Sequence, residues 1–346
     1  MSGVQTLTIG PDEGDQRLDR WFRHRFPQIS QVQIEKMCRK GEIRVDGGRV
    51  KGNSRVAVGQ AVRVPPLPNE RGPAVNRTAI SKADAEMMRA AVIYQDDHII
   101  VLNKPAGLAT QGGSGQTRHV DGLVEALQGD HEDKPRLVHR LDKDTSGVLL
   151  LARTRMAAKG LTDAMRHRAT RKIYWAAVAG VPSPRMGTIK YGLMKQSGHG
   201  AKGEGERMVC IHPAEVDKTE GAKRATTDYA VLSALGGRTA WVALVPLTGR
   251  THQLRAHMAE MGNPIIGDGK YGGSGQENMG DGWGSQLGGD ISRKLHLHAR
   301  SITIEHPVSK AMLTLTAPLP EHMARTWEQL EWRASDVPDD PFNEVQ

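Results

Sequence analysis

Near the start of the chain, apolar residues recur at helical spacing in two short runs. The first run consists of Leu18, Trp21, Phe22 and Phe26. A second helix is predicted over residues 31–39, because Ser30 is a typical N-cap and Gly41 a typical C-cap. Short alternating stretches of strand character follow. We therefore predict a small helix–helix–strand unit over residues 16–64.

Farther along the chain, the apolar pattern changes to short β-branched runs. These lie at 91–94, 99–102, 147–152, 174–178, 241–245 and 301–304. Helical patterns interrupt them at 156–169 and 251–261. This pattern predicts an α+β fold, with a mainly antiparallel mixed-sheet domain, flanking helices and a small N-terminal α/β module.

Composition shifts then suggest five segments. The stretch after the small unit begins Pro-Pro-Leu-Pro and stays polar, as a linker does. The chain ends in a polar, acidic stretch, which we expect to fray. The predicted organisation is a polar N-terminal segment (1–15), a basic module (16–64), a linker (65–90), a large domain (91–330) and a polar tail (331–346).

Charge is concentrated in the predicted module. The 346-residue chain carries a formal net charge of +8. Residues 16–63 hold twelve basic and four acidic side chains, so the excess lies there and the remainder is neutral. A local basic excess favours nucleic acid as the partner, with an anionic membrane surface as the competing interpretation. The candidate contacts are Arg17, Arg20, Arg39, Lys40, Arg44, Arg49 and Lys51.

Other features exclude several classes of protein. No apolar run approaches about 18 residues, and the polar start lacks the pattern of a signal peptide. Two cysteines cannot form a disulfide framework, which fits a reducing, cytoplasmic setting. The Gly-rich stretches lack the fingerprints of phosphate-cradling loops. We expect no metal, no cofactor and a monomer.

One polar segment directly before an apolar strand is a candidate for chemistry. In residues 137–147, Asp142 is surrounded by Arg, Lys, Thr and Ser side chains. Neighbouring cations favour the ionised carboxylate, which is a nucleophile or base at neutral pH. The alternative interpretation is a solvated, charged turn. A second segment, 247–257, places basic residues at a helix start, which suits a phosphate or carboxylate partner or an ordinary surface helix.

These segments carry a family resemblance. Residues 139–147, with the pattern His-Arg-Leu-Asp-x-x-Thr-Ser-Gly, resemble the signature of the RluA/RluC family of pseudouridine synthases. Four further segments agree with the family in order, at 103–107, 172–174, 249–257 and 264–268. The resemblance covers about residues 90–318, and residues 16–64 resemble the family's αL-type RNA-binding module. The stretch 111–123 is similar to the ribosomal large-subunit branch more than to the transfer-RNA branch.

The resemblance implies an isomerase that converts uridine in structured RNA, here large-subunit ribosomal RNA, to pseudouridine without cofactor or metal. Asp142 matches the nucleophile and Arg250 the arginine that pairs with it. Tyr174 matches the tyrosine that packs against the target base, and Arg140 the side chain that replaces the flipped nucleotide. The expected substrate-binding residues are Arg140, His139, Thr145, Arg255 and Lys104.

Alternatives remain at the level of the sequence. A non-catalytic RNA-binding or ribosome-assembly factor would need only the basic module. A synthase acting on transfer RNA would share every motif. A metal-dependent nuclease would need clustered Asp, Glu or His ligands, which the sequence does not offer. Direct attack by Asp142 and a glycal route would use the same residues.

Overall fold

The structure is a computed structural model that describes residues 3–67, 80–112, 116–166, 170–196, 207–272 and 291–342. The chain divides into two compact units, Met1–Ala79 and Ile80–Gln346. Within the described ranges, no helix is both long enough and apolar enough to cross a membrane.

In residues 3–67, the part of the first unit that the structure describes, there are two α-helices and six short strands. The helices are α1 (Leu18–Arg25) and α2 (Gln31–Lys40). The strands are β1 (Gln5–Thr8), β2 (Gln16–Arg17), β3 (Arg44–Val45), β4 (Gly48–Arg49), β5 (Arg55–Val56) and β6 (Ala61–Val64). The sheet order is β1-β6-β3-β4, and β2 pairs with β5. As predicted, Ser30 caps α2 and Gly41 ends it with φ 72°.

Apolar side chains from both helices and the strands fill the core of this unit. Leu18, Trp21 and Phe22 of α1 are at most 1% exposed, and Ile34 of α2 is fully buried. The helices therefore form because one face of each packs on the sheet.

The second unit is built on one eleven-stranded sheet. Its strands are β7 (Val92–Gln95), β8 (Ile99–Lys104), β9 (Arg136–Leu137), β10 (Ser146–Ala152), β11 (Arg171–Ala179), β12 (Met186–Gln196), β13 (Arg207–Ile211), β14 (Lys223–Leu235), β15 (Thr239–Pro246), β16 (Leu297–Glu305) and β17 (Met312–Thr316). The order is β13-β12-β14-β15-β11-β16-β10-β8-β7, with β17 on β16 and β9 on β10.

All recorded pairings in this sheet are antiparallel except that of β10 with β16, which is parallel. The flanking helices are α3 (Lys82–Ala90), α4 (Val120–Leu123), α5 (Arg155–Ala164), α6 (Gln253–Glu260) and α7 (Glu321–Gln329). The predicted α+β class, with a mainly antiparallel mixed sheet and a small N-terminal module, is confirmed.

Two predicted segments differ from the structure, and one long strand was not predicted. The segment 1–15 is not a separate polar lead, because β1 pairs with β6 over four residues. The stretch 65–90 is not a linker throughout, because α3 occupies its end and buries Met88 against the second unit's core. Long β14 was not predicted at all, since its Thr- and Ala-rich sequence lacks a dense apolar run.

The predicted polar tail is also wrong for residues 331–342. Trp332 is 7% exposed and packs against Trp241 and Trp327. Asp340 accepts two hydrogen bonds from Arg171 of β11, at 2.8 and 2.9 Å. The prediction was wrong because it rested on the acidic residues and overlooked the aromatic side chains that complete the core. This segment belongs to the second unit.

The parallel contact between β10 and β16 depends on Gly147. Its φ is 108°, and a Cβ there would collide with the carbonyl oxygen of Ala299 and lie 2.8 Å from that residue's nitrogen. Real Cβ atoms do not approach backbone this closely, so the two strands require glycine here.

We expect Gly147→Ala to lower the free energy of unfolding by more than about 3 kcal/mol, since backbone strain adds to a clash with backbone atoms. Gly221→Ala is the control, because Gly221 has φ 81° but open space around its Cβ position. That variant should lose only about 1 kcal/mol. Urea unfolding of both would measure the difference, and equal losses would contradict the close approach.

Candidate active site

A cavity of about 560 Å³ lies in the second unit where three polar segments meet. The loop before β10 supplies Asp142, strand β11 supplies Tyr174, and the start of α6 supplies His252 and Arg255. The structure thus brings together residues that are more than 100 positions apart in the chain.

Backbone hydrogen bonds fix the loop that carries Asp142. Thr110 clamps the preceding residue, because its Oγ1 donates to the Leu141 oxygen at 2.6 Å and accepts from the Leu141 nitrogen at 3.2 Å. The backbone amide of Thr145 donates to the backbone carbonyl oxygen of Asp142 at 3.2 Å and closes the turn. The Asp142 side chain itself stays 27% exposed, toward the cavity.

Lys104 supports the same loop. From the sequence, Lys104 was predicted to bind substrate, and this prediction is wrong. Its side chain is fully buried, and Nζ donates to the carbonyls of Pro105, Leu108 and Lys143 at 2.8–3.0 Å. Burial lowers the pKa of this amine to about 7. The three carbonyls match the three N–H groups of the protonated amine, so Lys104 ties the 105–108 turn to the Asp142 loop.

Arg255 is the arginine that faces Asp142. Its Nη1 lies 3.7 Å from Asp142 Oδ2, while Nε and Nη2 donate to the two oxygens of Asp268 at 2.7 Å. The side chain is 8% exposed and that of Asp268 fully buried. Burial acts to lower the pKa of Arg255, but the hydrogen bonds and charge of Asp268 outweigh it and the pKa is raised. The guanidinium is therefore a permanent, rigidly held charge.

Arg250 does not make the predicted pair with Asp142. Its side chain is exposed, and Nε donates to the Arg224 oxygen at 3.3 Å. Arg250 precedes α6 in a turn, so it lies at the rim of the cavity, whereas Arg255 is on the helix and points inward. Arg255 in turn was expected to bind substrate, and its position buried between two carboxylates assigns it to Asp142 instead.

A side chain that the sequence did not single out orients this motif. Gln253 is 3% exposed, and its Oε1 accepts from Thr248 Oγ1 and from the Arg250 amide. Its Nε2 donates to Thr226 and Thr227 of β14. The turn before α6 is thereby fastened to the sheet. The polar spacing of the motif gave no sign of this role.

His139 and Thr145, which were predicted to bind substrate, line the cavity but serve mainly to stabilise the fold. His139 Nε2 accepts a hydrogen bond from the Leu150 amide at 2.9 Å, so the ring is neutral in this contact. Burial lowers the pKa of this imidazole to about 3, with a smaller effect of Lys172. Thr145 is 2% exposed. Both therefore shape the wall more than they present free polar groups.

Several cationic side chains that line the cavity have no ionic partner among the described residues, Arg140 and Lys172 among them. Arg140 is exposed at the entrance, and Lys172 of β11 is half-buried. Burial lowers the pKa of Lys172. An unpaired cation beside a cavity favours an anionic ligand.

Tyr174 is placed next to Asp142 by an irregularity in the sheet. Residue 300 of β16 is skipped in the pairing with β11 between Ile173 and Tyr174, and such a bulge redirects side chains. Burial, and then the charge of Asp142, raise the pKa of the Tyr174 phenol far above its usual value. At neutral pH it is a hydrogen-bond donor and a flat apolar wall.

His252 and Tyr271 complete the surroundings of Asp142. His252 Nε2 lies 3.9 Å from Asp142 Oδ2, and its Nδ1 lies 2.8 Å from the Tyr271 hydroxyl. His252 has φ 51°, in the left-handed region. From the sequence, His252 was placed in the 249–257 motif without a role for its side chain, and Tyr271 was not singled out. Within the described ranges, no cluster of three or more His, Cys, Asp or Glu side chains is arranged to hold a metal ion.

The predicted RNA contacts of the first unit are all on its surface. Arg17, Arg20, Arg39, Lys40, Arg44, Arg49 and Lys51 are exposed. Arg17 is partnered by Asp19, and Lys40 lies 3.5 Å from Glu42. The unit therefore presents a cationic surface on a folded scaffold.

Comparisons with known proteins find family matches and relatives for this chain. The model of the RNA pseudouridylate synthase family matches residues 98–260, and that of the S4 domain matches residues 16–62. Ribosomal large subunit pseudouridine synthase C of Vibrio cholerae is 35% identical over 325 residues, which is 92% of this chain and 95% of that protein. The protein of the same name from Escherichia coli K12 is 33% identical over 333 residues, or 94% and 97%.

A solved structure shares the fold of the second unit. Human RNA Pseudouridylate Synthase Domain Containing 4 has a TM-score of 0.57 and 28% identity, covering 71% of this chain and 95% of that one. The resemblance carried by residues 139–147 and the four other segments is therefore confirmed over nearly the whole chain. The chain belongs to the RNA pseudouridine synthase family and carries an S4 domain ahead of its catalytic domain.

Proposed function

We propose that this RNA pseudouridine synthase acts on uridines of large-subunit ribosomal RNA, with Asp142 as its nucleophile. The relatives of similar length are named for the large ribosomal subunit, which supports that substrate. The observation that carries the role of Asp142 is its exposed carboxylate in the cavity, 3.7 Å from the buried guanidinium of Arg255.

The reaction rearranges one nucleotide and needs a group that can handle a detached base. The bond from ribose C1′ to N1 breaks, a bond from C1′ to C5 forms, the C5 proton leaves, and N1 gains a proton. Asp142 serves this by attacking C1′ or by removing a ribose proton in a glycal route. In both routes, a carboxylate held without reorganisation lowers the barrier.

The remaining cavity residues support a nucleotide taken out of its stack. A target inside a helix must flip out, which costs a few kcal/mol. Exposed Arg140 is positioned to occupy the vacated space, and Tyr174 offers a flat face to the base. Arg250 at the rim and the unpaired Lys172 suit contacts to phosphate. Arg255 replaces Arg250 in the role of partner to Asp142.

The S4 domain supplies affinity for folded RNA. Structured RNA is bound largely through shape and phosphate contacts, and a cationic surface provides such contacts independently of sequence. We further propose a monomer in the cytoplasm. Both cysteines are free thiols, which fits a reducing compartment. Sedimentation would test the monomer, and mapping pseudouridines in ribosomal and transfer RNA from cells with and without the protein would test the substrate.

We expect Asp142→Asn to abolish pseudouridine formation and to leave RNA affinity within about twofold, because the amide keeps the shape but is not a nucleophile. Asp144→Asn is the matched control, since Asp144 is exposed on the same loop. Tritium release from C5-labelled RNA measures turnover, and filter binding measures affinity. Retained turnover in Asp142→Asn would refute the proposed role.

The two arginines of the α6 motif should behave differently. Arg255→Lys loses the two-pronged bond to Asp268, and we expect kcat to fall by about a hundredfold through misplacement of Asp142. Arg250→Lys keeps a cation at the rim, so it should change kcat by less than about threefold. Steady-state kinetics of the two variants decides the assignment. A larger loss in Arg250→Lys would restore the prediction made from the sequence.

Neutralising the S4 surface should weaken binding in a salt-dependent way. The pair Arg20→Gln and Arg39→Gln removes two exposed charges, so the slope of log affinity against log salt should fall by about 1.4–1.8. The pair Lys310→Gln and Arg325→Gln in the second unit removes equal charge as the control. Single-turnover rates at saturating enzyme should stay unchanged in both. Equal slopes for the two pairs would contradict an RNA-docking role of this surface.

A further inference from the structure

A hydrogen-bonded pair beside Asp142 has no part in the roles described so far. Tyr271 is 8% exposed, and its hydroxyl lies 2.8 Å from Nδ1 of His252. The other ring nitrogen, Nε2, lies 3.9 Å from Asp142 Oδ2. The imidazole therefore stands between a buried phenol and the proposed nucleophile.

The hydrogen bonds of Tyr271 fix which ring nitrogen carries the proton. The amide of Met208 donates to the Tyr271 oxygen at 2.9 Å, and an amide N–H can only donate. Among the described residues, the other hydrogen-bond partner of that oxygen is Nδ1 of His252. The phenol proton is therefore directed at Nδ1. A neutral imidazole that accepts at Nδ1 carries its own proton on Nε2, the nitrogen that faces Asp142.

The surroundings keep this imidazole neutral. Burial lowers the pKa of His252, and the charges of Arg255 and Lys270 act in the same direction. The charges of Asp142 and Asp268 act in the opposite direction and do not reverse the shift. At neutral pH the ring therefore offers Asp142 an uncharged N–H donor.

The backbone at His252 is also unusual. Its φ of 51° is uncommon for a residue with a side chain, and α6 begins at the next position. Such conformations persist where surrounding contacts hold them, and they concentrate at functional sites. Here the left-handed turn places the ring between Tyr271 and Asp142.

We infer that His252 is a positioning residue for the uridine rearrangement, held by Tyr271 in the tautomer that directs Nε2–H at one oxygen of Asp142. The inference rests on the proposed role of Asp142. Arg255 Nη1 approaches the same oxygen, Oδ2, at 3.7 Å. Both donors face Oδ2 rather than Oδ1, so Oδ1 is left for the nucleotide. Catalytic hydrogen bonds are often long in the absence of substrate, and we expect the 3.9 Å separation to shorten when RNA binds.

A matched pair of substitutions in the full chain separates positioning from packing. Glutamine and methionine are close in size and meet the same backbone geometry, but only glutamine offers an N–H donor. We expect His252→Met to lower kcat by up to about a hundredfold with KM nearly unchanged, and His252→Gln to recover most of that loss. Equal kcat values for the two variants would overturn the inference.

The same assay separates this inference from the proposed function. Wild-type protein and Asp142→Asn are run beside the pair on C5-labelled ribosomal RNA. If Asp142→Asn kept the turnover of the wild type, both the proposed role of Asp142 and this inference would be refuted. Turnover lost in Asp142→Asn but equal in the two His252 variants would overturn the inference alone.

The tautomer is tested without any activity measurement. Nitrogen-15 NMR of histidine-labelled full-length protein at pH 7 should show His252 with Nε2 protonated and Nδ1 unprotonated, assigned by loss of the signals in His252→Gln. In Tyr271→Phe, which lacks the phenol proton, we expect the two tautomers to mix. A wild-type spectrum with the proton on Nδ1 would overturn the inference.

Discussion

The contact between Arg255 and Asp268 is the constraint on which the cavity depends. A buried charge is tolerable only when it is paired and its hydrogen bonds are made, and these two side chains satisfy each other with two short bonds. Asp268 also accepts the amides of Lys270 and Tyr271. The pair thus joins α6 to the loop after Ile265 and Ile266, and the third guanidinium nitrogen is left to face Asp142.

The loop that carries Asp142 is rigid for a different reason. Lys104 donates hydrogen bonds to main-chain carbonyls of two turns, and Thr110 both donates to and accepts from the backbone of Leu141. Both side chains are buried, and neither has a proposed role in the reaction itself. The Lys104 amine and the Thr110 hydroxyl fix the position of the Asp142 carboxylate. This is the preorganisation that a charge-separating reaction requires.

The sequence predicted the fold class, the family and part of the cavity lining, including Asp142, Tyr174 and Arg140, because these depend on local apolar patterns and on motif order. It did not predict which arginine faces Asp142, since Arg250 and Arg255 share one motif and only the start of α6 decides which points inward. The burial of Lys104 was likewise hidden, because its partners are backbone carbonyls that leave no trace in side-chain spacing. The aromatic residues of 331–342 were obscured by their acidic neighbours.

The clamp between Arg171 and Asp340 has a consequence for biosynthesis. The two residues are 169 positions apart, and Phe342 also lies against the Arg171 guanidinium, 5.1 Å from ring centroid to carbon. This contact on strand β11, which carries Tyr174, can therefore form only after almost the entire catalytic domain has been synthesised. The S4 domain is complete much earlier, and domains fold in order of synthesis. A nascent chain thus gains the ability to dock on RNA well before it gains a finished catalytic cavity.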